Sequence, residues 1–132
     1  MSRDEIDVLE VNSRFYAAFA ARDAVALEAL WAREAPVTCV HPGWDALRGR
    51  DEVVRSFLAI LAGDPPDIRC GAASALVLGE AAVVVCHEQV PGAGTLVATN
   101  VFVRESGGWR ICHHQAGPMQ QPAASPPPGA MA

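Results

Sequence analysis

Residues 67–116 read DIRCGAASALVLGEAAVVVCHEQVPGAGTLVATNVFVRESGGWRICHHQA, and their reading decides the fold. Apolar and β-branched residues recur here with a period of two through four segments, 67–78, 81–90, 95–104 and 109–116. Between them lie Gly79-Glu80, Pro91-Gly92-Ala93-Gly94 and Glu105-Ser106-Gly107-Gly108, which are turn sequences. Consecutive strands joined by connections this short run in opposite directions, so the spacing predicts an antiparallel meander.

Upstream the period changes. Ser2-Arg3-Asp4-Glu5 fits a capping box, in which the serine and glutamate side chains satisfy free backbone amides at a helix start. Val8, Val11, Phe15, Ala18 and Phe19 then recur at three- and four-residue steps, predicting a helix to about Arg22. Asp23 caps a second, shorter helix carrying Leu27, Leu30 and Trp31, which should fade at Glu34-Ala35-Pro36 because proline disfavours helical geometry just before it. Pro36 to His41 reads as one strand, stopped by Pro42-Gly43; 43–49 is irregular. Val53, Val54, Phe57, Leu58 and Leu61 give a third amphipathic helix over 51–62, ended by Gly63-Asp64-Pro65-Pro66.

The order α-α-β-α-β-β-β-β describes an α+β class: a strongly curved, cone-shaped antiparallel sheet with three helices packed on its concave side. A bent sheet capped this way leaves an interior wider than its own side chains fill, and such pockets hold small ligands. With 132 residues, 51% of them apolar, the chain is expected to form one domain over 1–118. The tail 119–132, rich in proline and alanine, is expected to be disordered, a docking arm being the alternative.

Composition excludes several functions. All ten basic residues are arginines against fifteen acidic ones, a net charge of −5 with no basic stripe to follow a phosphate backbone, so no nucleic-acid partner is expected. No apolar run approaches the ~20 residues of a membrane span and the start lacks a signal-peptide core, so a cytoplasmic location without membrane association is expected. Cys39, Cys70, Cys86 and Cys112 are scattered without a C-x-x-C spacing and read as reduced, packed thiols. Cys86-His87 and Cys112-His113 are poor nucleophile–base pairs, since strand neighbours point to opposite faces.

Phe15-Tyr16-Ala17-Ala18-Phe19-Ala20-Ala21-Arg22-Asp23, His41-Pro42-Gly43-Trp44, Gly49-Arg50-Asp51, Phe102-Val103-Arg104 and Gly108-Trp109-Arg110-Ile111, in that order, resemble the NTF2-like superfamily, and within it the SnoaL-like and ketosteroid-isomerase-like members. The resemblance implies a cystatin-like α+β fold over about residues 5–118 and a homodimer through the outer sheet face. It carries less for function, because the superfamily holds isomerases, cyclases, dehydratases and non-catalytic binders. By that resemblance the general base, an aspartate before a proline, falls on His41 before Pro42. The oxyanion-holding acid falls on Asn100, and the tyrosine of the first helix falls on Phe15, with Tyr16 about 100° away around the helix. Histidine can serve as a base near neutral pH, asparagine keeps a donor, and phenylalanine donates nothing, which disfavours a steroid isomerase.

Strand alternation, with Asn100 taken as inward, adds Phe102 and Ala98, then His87 with Gln89 and His113 with Gln115, while Cys86, Glu88, Cys112 and His114 should face out. The expected cup thus sets His41, Trp44, His87, Gln89, Asn100, Phe102, His113 and Gln115 against Phe15, Val54, Phe57 and Leu58. His41 would be the general base or acid, Asn100 the oxyanion holder, and His113 or His87 an assistant. No cofactor is expected, and no dense ligand motif supports a metal site formed by His41, His87 and His113. The expected function is binding of a small apolar, carbonyl-bearing molecule, with cofactor-independent isomerase-, cyclase- or dehydratase-type proton transfer. The alternatives are a non-catalytic binding module for an apolar ligand and a structural or dimerisation domain.

Overall fold

A computed structural model of the chain describes residues 1–120 and gives three helices and a six-stranded curved sheet. The expectation for the proline-rich tail falls mostly on 121–132, outside the described residues. Helix α1 (Arg3–Ala20) starts as its capping box predicts, the Ser2 hydroxyl accepting from the Glu5 N–H at 3.1 Å. Its inward stripe includes Val8, Val11, Phe15 and Phe19, and also Asn12 and Tyr16. Helix α2 (Ala24–Leu30) is capped by Asp23, which accepts from the Ala26 N–H at 3.1 Å.

Helix α2 stops earlier than the proline alone requires. Trp31 turns to extended geometry, is fully buried, and bridges to Ile111, whose carbonyl accepts from the Ala32 N–H at 2.8 Å. Burying a large indole outweighs one further helical turn. Strand β1 (Thr38–Val40) follows, then β2 (Leu47–Arg48), a two-residue strand within the segment expected to be irregular. Helix α3 (Arg50–Ala62) begins after Gly49, whose φ of +91° suits glycine. The meander comprises β3 (Arg69–Leu78), β4 (Ala81–Val90), β5 (Gly94–Glu105) and β6 (Gly108–Pro118), close to the predicted spans.

The sheet order is β2-β1-β6-β5-β4-β3, and the expectation of a wholly antiparallel sheet is corrected to a mixed one. β1 pairs with β6 in parallel, Thr38 opposite His113 and Val40 opposite Gln115. The chain leaves β1 through α3 to the far edge, and the meander returns alongside β1 in the same direction. The core beneath the sheet is built on Trp31, Phe15, Phe102, Leu27 and Ile111. Among the described residues no helix is long and apolar enough to cross a membrane.

Register reverses two of the sequence expectations. Asn100 lies opposite Val84 on β4, so Ala82, Val84, Cys86 and Glu88 point into the core while His87 and Gln89 point out. On β6, Val101 faces His113 but Phe102 faces Ile111, which leaves Cys112 as an extra residue in a bulge. Trp109 and Ile111 therefore point inward before the bulge, and His114 and Ala116 after it. A one-residue change of phase exchanges the two faces, which turns His113 and Gln115 outward.

Candidate functional site

A cavity of about 390 Å³ lies between the helices and the sheet, within the usual range for small-molecule sites. Its walls are mostly apolar: Phe15 and Phe19 from α1, Phe57 and Ile60 from α3, Ile68, Val90 and Leu96. Trp44, about half exposed, stands at its rim beside Pro42. Four polar side chains also line it: Tyr16, His41, Glu88 and His114.

His41 follows β1 where Pro42-Gly43 turns the chain, and the Trp44 N–H donates to the His41 carbonyl at 2.9 Å. Its ring packs edge-on against Trp44 and Phe57, each centroid 4.8 Å away. The Ser56 hydroxyl donates its single proton to the Val53 carbonyl at 2.7 Å, so it must accept from His41 Nε2 at 2.8 Å. His41 thus carries its proton on Nε2 and keeps a lone pair on Nδ1. Burial lowers its pKa, so the ring is neutral at pH 7.

Tyr16 donates to Glu88 Oε2 at 2.6 Å and receives the Asn100 amide at 3.1 Å. Asn100 also donates to Asn12 Oδ1 at 2.8 Å, and its own Oδ1 lies 2.6 Å from His114 Nδ1. His114 Nε2 is 3.8 Å from Glu88 Oε2. Burial raises the Glu88 pKa, an effect the phenol hydrogen bond opposes. Burial, with His41 and His113 nearby, lowers that of His114 to about 3. A carboxyl that tends to keep its proton and an imidazole that tends to stay neutral therefore share one end of an apolar cavity, the pairing of environments that suits acid–base chemistry.

Of the residues expected from the sequence, His41, Trp44, Phe15 and Phe57 line this cavity. Asn100 and Phe102 are fully buried behind its wall. Val54 and the half-buried Leu58 pack with the core and are not in the lining. Four placements are corrected: His87, Gln89, His113 and Gln115 lie on the outer face, where His113 Nδ1 meets the Thr38 hydroxyl at 2.6 Å. A site joining His41, His87 and His113 is thereby excluded, and among the described residues no group of three or more His, Cys, Asp or Glu is placed to hold a metal ion.

Tyr16, Glu88 and His114 are the residues the sequence reading missed. Tyr16 left one signal, since Val8, Asn12 and Tyr16 form an i, i+4 row beside the apolar stripe. Glu88 left none, because apolar residues occupy both faces of β4 at Ala81-Ala82-Val83-Val84-Val85. His114 is hidden by the β6 bulge, which no residue type in Cys112-His113 announces.

Helices over one face of a curved sheet, enclosing a small cavity with a polar end, define the class of cavity-bearing NTF2-like proteins. The chain belongs to the SnoaL-like domain family, which it matches over residues 8–120. It is 32% identical to a protein from Streptomyces avermitilis described as a candidate dehydratase of the NTF2-like family, covering 87% of this chain and 95% of that one with a TM-score of 0.78. It is 30% identical to a protein from Thiobacillus denitrificans described as a candidate calcium/calmodulin-dependent protein kinase type II association domain, covering 83% and 93% with a TM-score of 0.73. Among curated proteins it is 26% identical over 115 residues to the F-box protein SKIP8 of Arabidopsis thaliana. The match covers 85% of this chain, and the chain spans about half the length of that relative.

Proposed function

We propose that the protein is a cofactor-independent proton-transfer enzyme of isomerase or dehydratase type, acting on a small, neutral, apolar molecule that bears a carbonyl group. The observation that carries this reading is the cavity itself, whose apolar walls end in Tyr16, Glu88, His114 and His41. Among the described residues no arginine lines it, so its chemistry suits a neutral substrate and not a carboxylate or phosphate. In this reading His41 Nδ1 removes a proton from the carbon beside the carbonyl while the polar end stabilises the oxygen where charge develops. Return of the proton elsewhere gives isomerisation; loss of a β-hydroxyl as water gives dehydration. The relative described as a candidate dehydratase supports the same class.

Proton abstraction can be tested on simple ketones in place of the natural substrate. Small cyclic and aryl ketones are incubated with the protein in D2O, and exchange at the carbon beside the carbonyl is followed by NMR. Catalysed exchange that falls at least about a hundredfold in His41→Gln is expected, the usual contribution of a general base. Exchange no faster than buffer across the panel, or equal rates in the variant, would overturn the reading.

A second reading, of an association module, is favoured by the outer sheet face, where Leu76, Leu78, Val85 and Val97 are exposed. It is compatible with the first: we propose a homodimer through that face, with the cavity on the opposite side of the sheet in each copy.

A further inference from the structure

We propose that Asn100 is a positioning residue that holds His114 as its Nδ1–H tautomer, so that an unprotonated Nε2 faces Glu88 and the Glu88 carboxyl holds a proton of its own, poised for transfer to a substrate oxygen. This deepens the proton-transfer reading and rests on it for its role in turnover, though not for its geometry.

The hydrogen bonds in the row set one another's direction, and Asn12, whose Nδ2 points at Cys70 Sγ 3.7 Å away, gives the row its sense. Asn12 Oδ1 can only accept, so the Asn100 atom 2.8 Å away is the amide nitrogen. That nitrogen also donates to the Tyr16 oxygen at 3.1 Å, which leaves the phenol proton for Glu88 Oε2 at 2.6 Å. Asn100 Oδ1 then faces His114 Nδ1 at 2.6 Å and can only accept from it. A neutral imidazole protonated on Nδ1 has a lone pair on Nε2, and Nε2 is the atom that lies 3.8 Å from Glu88 Oε2.

Two acceptors would then oppose each other unless one of them carries a proton. An imidazolium–carboxylate pair is the rival arrangement, but opposite charges would draw the two atoms to the ~2.7–2.9 Å of a charge-assisted hydrogen bond, whereas at 3.8 Å no hydrogen bond of either kind joins them. Both side chains are also nearly fully buried, which penalises two charges. The groups facing Glu88 do not reverse this. They are Tyr16 from α1, Cys70 from β3, Cys86 on its own strand, Cys39 and His41 at β1, and His114 from β6, while α3 contributes Phe57 and Ile60 to the same cavity. None is a permanent cation, and desolvation raises the Glu88 pKa and lowers that of His114. With Nε2 an acceptor and no permanent cation among these groups, the proton is assigned to the carboxyl.

The transfer step balances without a further reactant. As His41 Nδ1 takes a proton from the carbon beside the carbonyl, the Glu88 O–H bond breaks and an O–H bond forms on the substrate oxygen. The carboxylate left behind keeps the Tyr16 hydrogen bond; as the enol collapses its O–H proton returns to Glu88, and His41 delivers its own proton to the new carbon or to the departing hydroxyl, which restores both residues.

The decisive measurement is side-chain ¹⁵N NMR of the uniformly labelled protein without substrate, titrated from pH 8 to 5, with ¹³C detection of the Glu88 carboxyl. The expected His114 signals are a protonated Nδ1 and an unprotonated Nε2, unchanged across that range, with Glu88 titrating above the ordinary glutamate midpoint. In Asn100→Asp, a carboxylate accepting from His114 Nδ1 should raise the His114 midpoint by about 1 to 3 units and draw the proton from Glu88. An Nε2–H tautomer, which requires the whole amide row to be turned over, or an imidazolium at pH 7 would overturn the proposal in the wild-type spectrum alone, whether or not the variant folds. The deuterium-exchange assay fails or succeeds independently, so the loss of one reading is distinguishable from the loss of the other.

Discussion

At the scale of single residues, the site is maintained against stability. Glu88 is buried with a raised pKa, so between its unfolded value near ~4.3 and its folded value the native chain holds more protons than the unfolded one. Stability falls as pH rises through that window, and above it the whole cost of ionising the carboxyl is present. Glu88→Gln removes the titration and keeps an oxygen for the Tyr16 phenol, so the variant should melt several degrees above wild type at pH 8 and level with it at pH 4. Equal melting temperatures at both values would show that Glu88 does not carry this cost. His114 acts in the opposite sense: its lowered pKa makes its contribution complete above ~6.5 and lost as pH falls toward about 3. These residues were the least legible in the sequence, because a histidine or glutamate in a strand reveals its face only through the phase of that strand. β4 has apolar side chains on both faces, and β6 changes phase at Cys112.

At the scale of elements, most of the fold was legible because each helix and long strand carries its own period and its own punctuation. What escaped depends on partners distant in sequence. The two-residue β2 has no period to read, and the parallel pairing of β1 with β6 joins Thr38 to His113 across 75 residues. The early end of α2 belongs with these. After Trp31 the backbone N–H groups of Arg33, Glu34 and Ala35 all donate to the Glu105 carboxylate at the end of β5, at 2.9, 3.0 and 2.8 Å. Burial opposes ionisation there, but the three backbone donors outweigh it and hold the carboxyl below the usual range. Glu105→Gln places an NH2 group among those donors and leaves one acceptor, a loss of about 1.5–3 kcal/mol by the usual worth of hydrogen bonds to a charged group. Because the folded pKa is lowered, that stabilisation is complete above ~4.3 and disappears as pH falls through the folded value. Urea midpoints of wild type and variant should therefore differ at pH 7 and converge toward pH 3; a constant gap would place the effect in packing instead.

At the scale of the whole molecule, the two faces of the sheet carry different side chains. The inner face holds Val84, Cys86, Glu88, Asn100 and His114, the outer face Val85, Val97, Leu76 and Leu78. Pairing places Leu76 beside Val83 and Val83 beside Val101, so the outer apolar residues form a continuous patch across β3, β4 and β5. A patch of this kind is costly in water, and a second copy covering it by two-fold symmetry would bury the same residues twice. Sedimentation at micromolar concentration should give a dimer. Val85→Lys, placed 42% exposed within that patch, should weaken association at least about tenfold, roughly 1.4 kcal/mol, by setting a charge against the apolar surface of the partner. Its position on the outer side of β4 predicts unchanged His114 signals in the same NMR spectrum, so that assembly and the cavity respond separately. A monomeric wild type would leave the patch without this partner, and a Val85→Lys dimer of undiminished strength would move the interface elsewhere on the molecule.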